Sequence, residues 1–470
     1  MFFSLFLIAL KQSNVKASVT GYFVKFESFG YEANGQYILT VLKSTQPIIF
    51  GVLPQSDFNN LKDIGDKQHI YCPFNMSESE TKPESISSVQ LYFEEDSKPL
   101  TLSGNVNEKG VYAFFLYSCG SSKYTMHYSI ELSNPNTKLD TREYPSKIEN
   151  PIAIVAFAIL LILWLINWFM NCRLKIFLHY ILTAVYILSV LAVISRYIVL
   201  LYASSHHKKR SIESLFIVFD LFYLLCLFVF VLLAAKGWCI VRESIKFTEL
   251  LIAFICTLAF LILQTINNYL SFGKYDFIVI VLMLISLIIY VQQLISAINS
   301  ATLHIRAHLL AITNAGIDAR TTPIWQKYLM YQMLQWTIIV FCLILIARII
   351  VIYFLSELIW LSTFMSDLQN LVMLILLGIN FRLRGPDASN GYAMIEDQDM
   401  STYGPTEVIL SDIENIGVNE MQLGGKQWES GMPLPGPPHL VETPKIVTLE
   451  SPDGTREIAI SPGSYDEPTA

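Results

Sequence analysis

Four ionisable side chains interrupt apolar runs that are otherwise almost free of charge: Arg196, Asp220, Arg348 and Asp367. Two cations and two anions in such surroundings can neutralise one another, hold a polar ligand or pass an ion. A charge at the centre of a bilayer costs about 2.5–3.5 kcal/mol or more, so residues of this kind face the interior of a helical bundle and pair there. Gln264, Gln369 and Asn370, with Asn267, lie in the same runs and offer amide donors and acceptors. The plainer reading is a network that does no more than lock helix packing. Charge-neutral swaps separate the two: Asp220→Asn and Arg348→Gln leave ligand effects unchanged if the cavity binds nothing.

Other reactive groups are scattered. Seven cysteines are present. Cys72 and Cys119 are the two in the N-terminal third, and an even pair there suits one disulfide in an oxidising lumen. Cys226, Cys256 and Cys342 fall inside apolar runs and read as packing. Cys172 and Cys239 fall at run ends, where palmitoylation has access, although buried thiols are the expected reading. His304 and His308 are four apart on a helical pattern without a nearby acidic partner, and His206–His207 fall on the opposite side of the membrane, so no metal site is expected. Asn75-Met76-Ser77 is a glycosylation sequon. Tyr392-Ala393-Met394-Ile395 fits a Tyr-x-x-apolar sorting signal, in which Tyr392 and Ile395 enter adaptor pockets from an extended strand; a packed juxtamembrane stretch is the alternative. No nucleophile–base pair, phosphate-binding loop or paired carboxylate stands out, so neither catalysis nor a cofactor is expected. No basic run is long enough for nucleic acid.

The elements that must position these groups are long and apolar. Hydrophobic residues make up 53% of the 470 positions, and the mean hydropathy is +0.46. Seven runs, near 151–171, 177–203, 213–235, 249–268, 276–298, 331–355 and 358–380, can cross a bilayer, since about 20 residues at 1.5 Å each span its roughly 30 Å core. The pattern SAINSATLHIRAHLLAITNAG predicts that the fifth helix continues past the membrane and breaks near Gly316 and Pro323. By the same rise the four charges lie about 9–15 Å inside the ends nearer the N-terminal domain.

Residues 1–17 read as a signal peptide, with an apolar core too short to span and Val15 and Ala17 at the −3 and −1 positions. Residues 18–148 read as an all-β sandwich of short Tyr-, Phe-, Val- and Ile-rich strands. Signal cleavage puts this head in the lumen. The connections then expected in the cytosol hold Arg173, Lys175, Lys236, Arg242, Lys246, Arg306, Arg320, Lys327, Arg382 and Arg384, against Lys208, Lys209, Arg210 and Lys274 on the lumenal side. The transmembrane domain covers 149–384. From 385 to 470 the chain is acidic and Pro-rich without an apolar period, and is expected to be a disordered cytosolic tail.

Six stretches carry a family resemblance. GVYAFFLYSC followed by YTMHYSIELSN is similar to the last head strands of the lung seven-transmembrane receptors, the GOLD-domain seven-transmembrane superfamily, with Cys119 at its usual cysteine. LDTREYPSKIE resembles the juxtamembrane segment, and AKGWCIVRE (235–243) the Lys-Gly-aromatic turn closing the third helix. QKYLMYQ (326–332) and FRLRGPDASNGYAM (381–394) resemble the start of the sixth helix and the segment after the seventh. Where this family, including its intimal-thickness-receptor branch, usually has Trp-Arg-Pro or Phe-Arg-Pro, the chain has Phe381-Arg382-Leu383-Arg384-Gly385-Pro386. The resemblance implies a GOLD-like head and a trafficking-linked protein of the Golgi, endosomes or plasma membrane. Its expected partners are membrane lipids, a lumenal ligand or cargo protein, and cytosolic sorting adaptors or a G protein. An orphan signalling receptor and a channel or transporter are the alternatives. The third run ends in Lys236-Gly237-Trp238 and the seventh has no proline, which speaks against a rhodopsin-like switch.

Overall fold

The computed structural model describes residues 17–20, 23–25, 28–44, 48–56, 88–91, 100–118, 125–171, 176–206, 210–241, 247–269, 276–354, 358–383, 407–409, 425–429, 432, 434–436, 438–441, 445–451 and 454–460. Cys72, Cys119, Asn75, Tyr392 and Ile395 lie outside them, as do residues 1–16 of the expected signal peptide. Two compact units emerge over the described residues. One comprises Met1–Ile154, Val193–Val218 and Ile349–Ser366; the other comprises Val155–Ala192, Phe219–Arg348 and Asp367–Ala470.

The head belongs to the first unit. Its strands are β1 (Ala17–Thr20), β2 (Phe23–Lys25), β3 (Phe29–Tyr31), β4 (Gly35–Ser44), β5 (Ile48–Pro54), β6 (Ser88–Leu91), β7 (Leu100–Val106), β8 (Gly110–Ser118) and β9 (Thr125–Ser133). They form two antiparallel sheets, β1-β9-β4-β7 and β2-β8-β5-β6, with β3 also pairing β8. Alternation along β7 leaves Thr101, Ser103 and Asn105 exposed while Val106 is buried, the mark of a sheet with one wet face. Between the sheets, Tyr37 of β4 meets Phe114 of β8 edge-on at 5.9 Å. Phe114, Tyr31, Leu39 and Leu53 are buried around this contact, and rings packed this way contribute beyond their area.

Seven helices are long and apolar enough to cross a membrane. They are α1 (Ser146–Met170), α2 (Phe177–Ser205), α3 (Arg210–Ala235), α4 (Phe247–Tyr269), α5 (Asp276–Asn314), α6 (Pro323–Phe354) and α7 (Ile359–Asn380). On α1, Ile152, Val155, Ile159, Ile162 and Ile166 recur at helical spacing, and all are at least half exposed. In water so large an apolar stripe would not persist on a folded surface; lipid is the solvent that covers it. The chain is a multi-pass membrane protein.

Helix ends follow local chemistry. α3 and α5 both close on a left-handed glycine, Gly237 at φ 82° and Gly316 at φ 78°. At each, two main-chain bonds reach back: Gly237 N–H to Ala234 and Trp238 N–H to Leu233, then Gly316 N–H to Thr313 and Ile317 N–H to Ile312. This is the Schellman arrangement, which satisfies carbonyls that the helix itself leaves open. α6 starts at Pro323, a residue suited to a first helical position, and not near 331 as hydropathy suggests. The added turns carry polar Gln326 and Lys327, which a hydropathy window rejects although the helix accommodates them.

The tail departs from the expected disorder over its described residues. β10 (Glu407–Ile409) pairs in parallel with β11 (His439–Val441), and β12 (Lys445–Ser451) forms an antiparallel hairpin with β13 (Gly454–Ile460). Part of the tail docks on the α5–α6 connection.

Candidate functional site

In the second unit, α3, α6 and α7 bring three of the four intramembrane charges together. Arg348 on α6 lies within electrostatic reach of both Asp220 on α3 and Asp367 on α7. Asp367 is buried, and Asp220 and Arg348 are half-buried. Tyr223, one turn from Asp220 and 2% exposed, faces the same two carboxylates and Tyr186 of α2. Its hydroxyl and the Arg348 Nε are buried without a hydrogen-bond partner among the described residues. Orphan donors beside carboxylates can bind a small polar or charged group. Tyr223 escapes sequence reasoning because an aromatic three residues from an aspartate is also ordinary packing.

The remaining polar candidates distribute differently. Arg196 on α2 belongs to the first unit, where its Nε donates to Asn150 Oδ1 at 2.8 Å; buried Asn150 in turn donates to Ser146 O at 2.8 Å. Arg196 thus fixes the first turn of α1. Gln369 is buried and Asn370 half-buried on α7. Gln264 on α4 is half-buried, with its Oε1 lacking a hydrogen-bond partner among the described residues.

The first unit also shows how the head is attached. Buried Asn134, just after β9, accepts from Glu32 N–H at 2.7 Å and donates to Gly30 O and Leu139 O at 3.1 and 2.8 Å. Asp140 caps the short 3-10 turn Thr141–Glu143 and holds Arg142, whose guanidinium also reaches Ser28 O. Two donors from this segment, Lys138 N–H and Thr137 Oγ1–H, converge on Ser204 O at 3.1 Å each, at the end of α2. In the head itself, burial pushes the phenols of Tyr31, Tyr37 and Tyr112 above the ordinary value.

A second polar set lies toward the other ends of the helices. Lys327 is 2% exposed and donates to Ile240 O at 2.7 Å, while Tyr331, one turn on, donates to Ala234 O at 3.0 Å. The stretches QKYLMYQ and AKGWCIVRE are therefore two halves of one clamp around Gly237. His179 Nδ1 accepts from Ile176 N–H, so its Nε2 carries the proton and donates to Phe381 O at 3.1 Å. Asn167 makes a paired amide contact with the Leu383 backbone at 2.9 and 3.0 Å. Asn380 donates to Met330 O at 3.0 Å. These donors all end on main-chain carbonyls, so they fasten helix ends. Cys239 is buried beside this clamp; burial pushes its thiol up, against hydrogen bonds to Phe177 and Leu178 backbone. Such a thiol is poorly placed for acylation. Among the described residues no group of three or more His, Cys, Asp or Glu could hold a metal.

No protein-family profile and no curated protein sequence matches the chain.

Proposed function

We propose that this is a receptor-like membrane protein of the secretory pathway, of lung seven-transmembrane type, acting in membrane trafficking. Its head, GOLD-like and lumenal in this reading, takes a ligand or cargo protein, and the Asp220–Tyr223–Arg348–Asp367 cluster holds a small polar ligand or headgroup. The observation that carries the reading is this cluster: two buried donors without a hydrogen-bond partner among the described residues, next to carboxylates, inside an apolar helix bundle. The hydrogen bonds from Thr137 and Lys138 to the end of α2 supply a mechanical link between head and helices. The tail, cytosolic in this orientation, offers Tyr392 and Ile395 to a sorting adaptor.

Ion conduction gains less support, because the donors His179, Lys327 and Asn380 Nδ2 toward the tail-side helix ends are committed to backbone carbonyls. Coupling to a G protein would need an unconventional switch. The test is a tagged copy localised in cells, with glycosidase sensitivity read at Asn75. Golgi or endosomal residence with a sugar on Asn75 supports the proposal. An unmodified Asn75 in a chain with its tail outside the cytosol overturns the orientation, and steady surface residence unaffected by Tyr392→Ala overturns the trafficking role.

A further inference from the structure

We propose that the α5–α6 connection is a docking site for an extended peptide, occupied in cis by residues 425–429, 432 and 435, and that this strap withholds the site from partners on the tail side. Lys426 forms an isolated parallel bridge with Ile317: its N–H donates to Gly316 O at 2.9 Å, and its carbonyl accepts from Asp318 N–H at 3.0 Å. Trp428 N–H then donates to Thr321 Oγ1 at 3.0 Å. The indole Nε1–H donates to Met432 O at 2.9 Å, and Met432 N–H donates to Glu429 O, so the strap turns back on itself. It ends on buried Pro435, whose carbonyl receives the Nε2–H of buried His308 on α5 at 2.8 Å.

The fit is specific at its entry. A Cβ on Gly425 would sit 2.6 Å from Gly316 O and 2.7 Å from both Asp318 N and Ile317 C. All three are backbone atoms, which cannot swing aside, so the site requires glycine at this position. Main-chain pairing supplies the grip while Gly425 and the Trp428 and Pro435 positions supply selectivity, which is the logic of strand-addition peptide sites. The left-handed turn at Gly316 is what exposes this edge: the chain leaves α5, and the short turn Ala319–Thr321 intervenes before Pro323 starts α6.

The contact is built to be reversible. Gly425, Lys426, Gln427 and Glu429 are exposed, so water competes at the rim, and main-chain bonds of this kind open far more readily than a buried core. The strap is flanked by the short β10–β11 pair. Roughly forty residues separate it from α7, so the strap competes for the site as part of the same chain. A partner peptide of the same chemistry therefore gains the site only by binding more tightly or once the strap has been drawn away.

The test uses the full-length chain in lipid nanodiscs and a fluorescent synthetic peptide spanning 421–440. In Gly425→Val the Asp318 amide exchanges with deuterium roughly tenfold faster or more, while amides of α3 and α7 keep their protection. The same variant binds the peptide saturably and regains protection at Asp318; the wild-type chain, its site filled, binds little. Lys426→Pro, which removes the donor to Gly316 O, reproduces the exchange result should the valine variant fail to accumulate. Unchanged exchange at Asp318 in both variants overturns the strap. Equal peptide binding by wild type and Gly425→Val, or none by either, overturns the docking site.

Discussion

Replacing Asn134 tests how the head is tied to the helices. Its amide joins three backbone groups, Glu32 N–H, Gly30 C=O and Leu139 C=O, and is 4% exposed. Asn134→Ala removes all three bonds and leaves their partners without water. At about 1 kcal/mol each the loss is about 3 kcal/mol, and more where a stranded group stays buried. That corresponds to roughly a hundredfold in the local opening equilibrium. Asn134→Asp keeps the shape and the acceptor for Glu32, but it sets an oxygen against two carbonyl oxygens at 3.1 and 2.8 Å. It is therefore expected to be worse than alanine at neutral pH and to recover in part in acid, where a protonated carboxyl restores one donor. Hydrogen exchange of the full chain in nanodiscs reads this directly at the Glu32 amide, with α7 amides as the control. A wild-type exchange rate at Glu32 in Asn134→Ala, or an aspartate variant indistinguishable from wild type at pH 7, refutes the reasoning.

Three further outcomes follow from the geometry. Arg348→Gln leaves Asp220 and Asp367 without that cation and is expected to cost about 3 kcal/mol, of which adding Asp367→Asn recovers about 1–2 kcal/mol; strictly additive thermal denaturation in nanodiscs would show the groups are not coupled. Gly237→Ala forces a left-handed alanine at about 1–2 kcal/mol and sets its Cβ 3.0 Å from the Tyr331 hydroxyl, so Tyr331→Phe, itself costing about 1 kcal/mol, should relieve part of that penalty in the double variant. Because burial holds the Tyr31 phenol above its ordinary value near 10, its neutral form stabilises the head fully below about pH 10 and that contribution is lost as pH rises further; head melting should begin to fall there, with a smaller fall in Tyr31→Phe.

The sequence alone determined the membrane architecture, because bilayer thickness sets a run length that hydropathy reads without knowing any contact. It also located the stop of α5 near Gly316, since a left-handed cap leaves a glycine behind as its signature. It nominated Asp220, Arg348 and Asp367, because charge in an apolar run is conspicuous. It did not nominate Tyr223 or Lys327: a tyrosine suits lipid, core or site alike, and a lysine beside a predicted span looks like an interfacial anchor. Only the fold shows Lys327 buried on Ile240 O and Tyr223 turned to the two aspartates. Only the fold assigns Arg196 to Asn150, in a unit separate from the charges it resembles in the sequence. The tail is the sharpest case. Its composition gives no sign of a docked segment, yet Lys426 and Trp428 dock through main-chain groups, and every residue except proline carries the same N–H and C=O. Bonds of that kind leave no trace in residue type, so tertiary structure alone decides where they form.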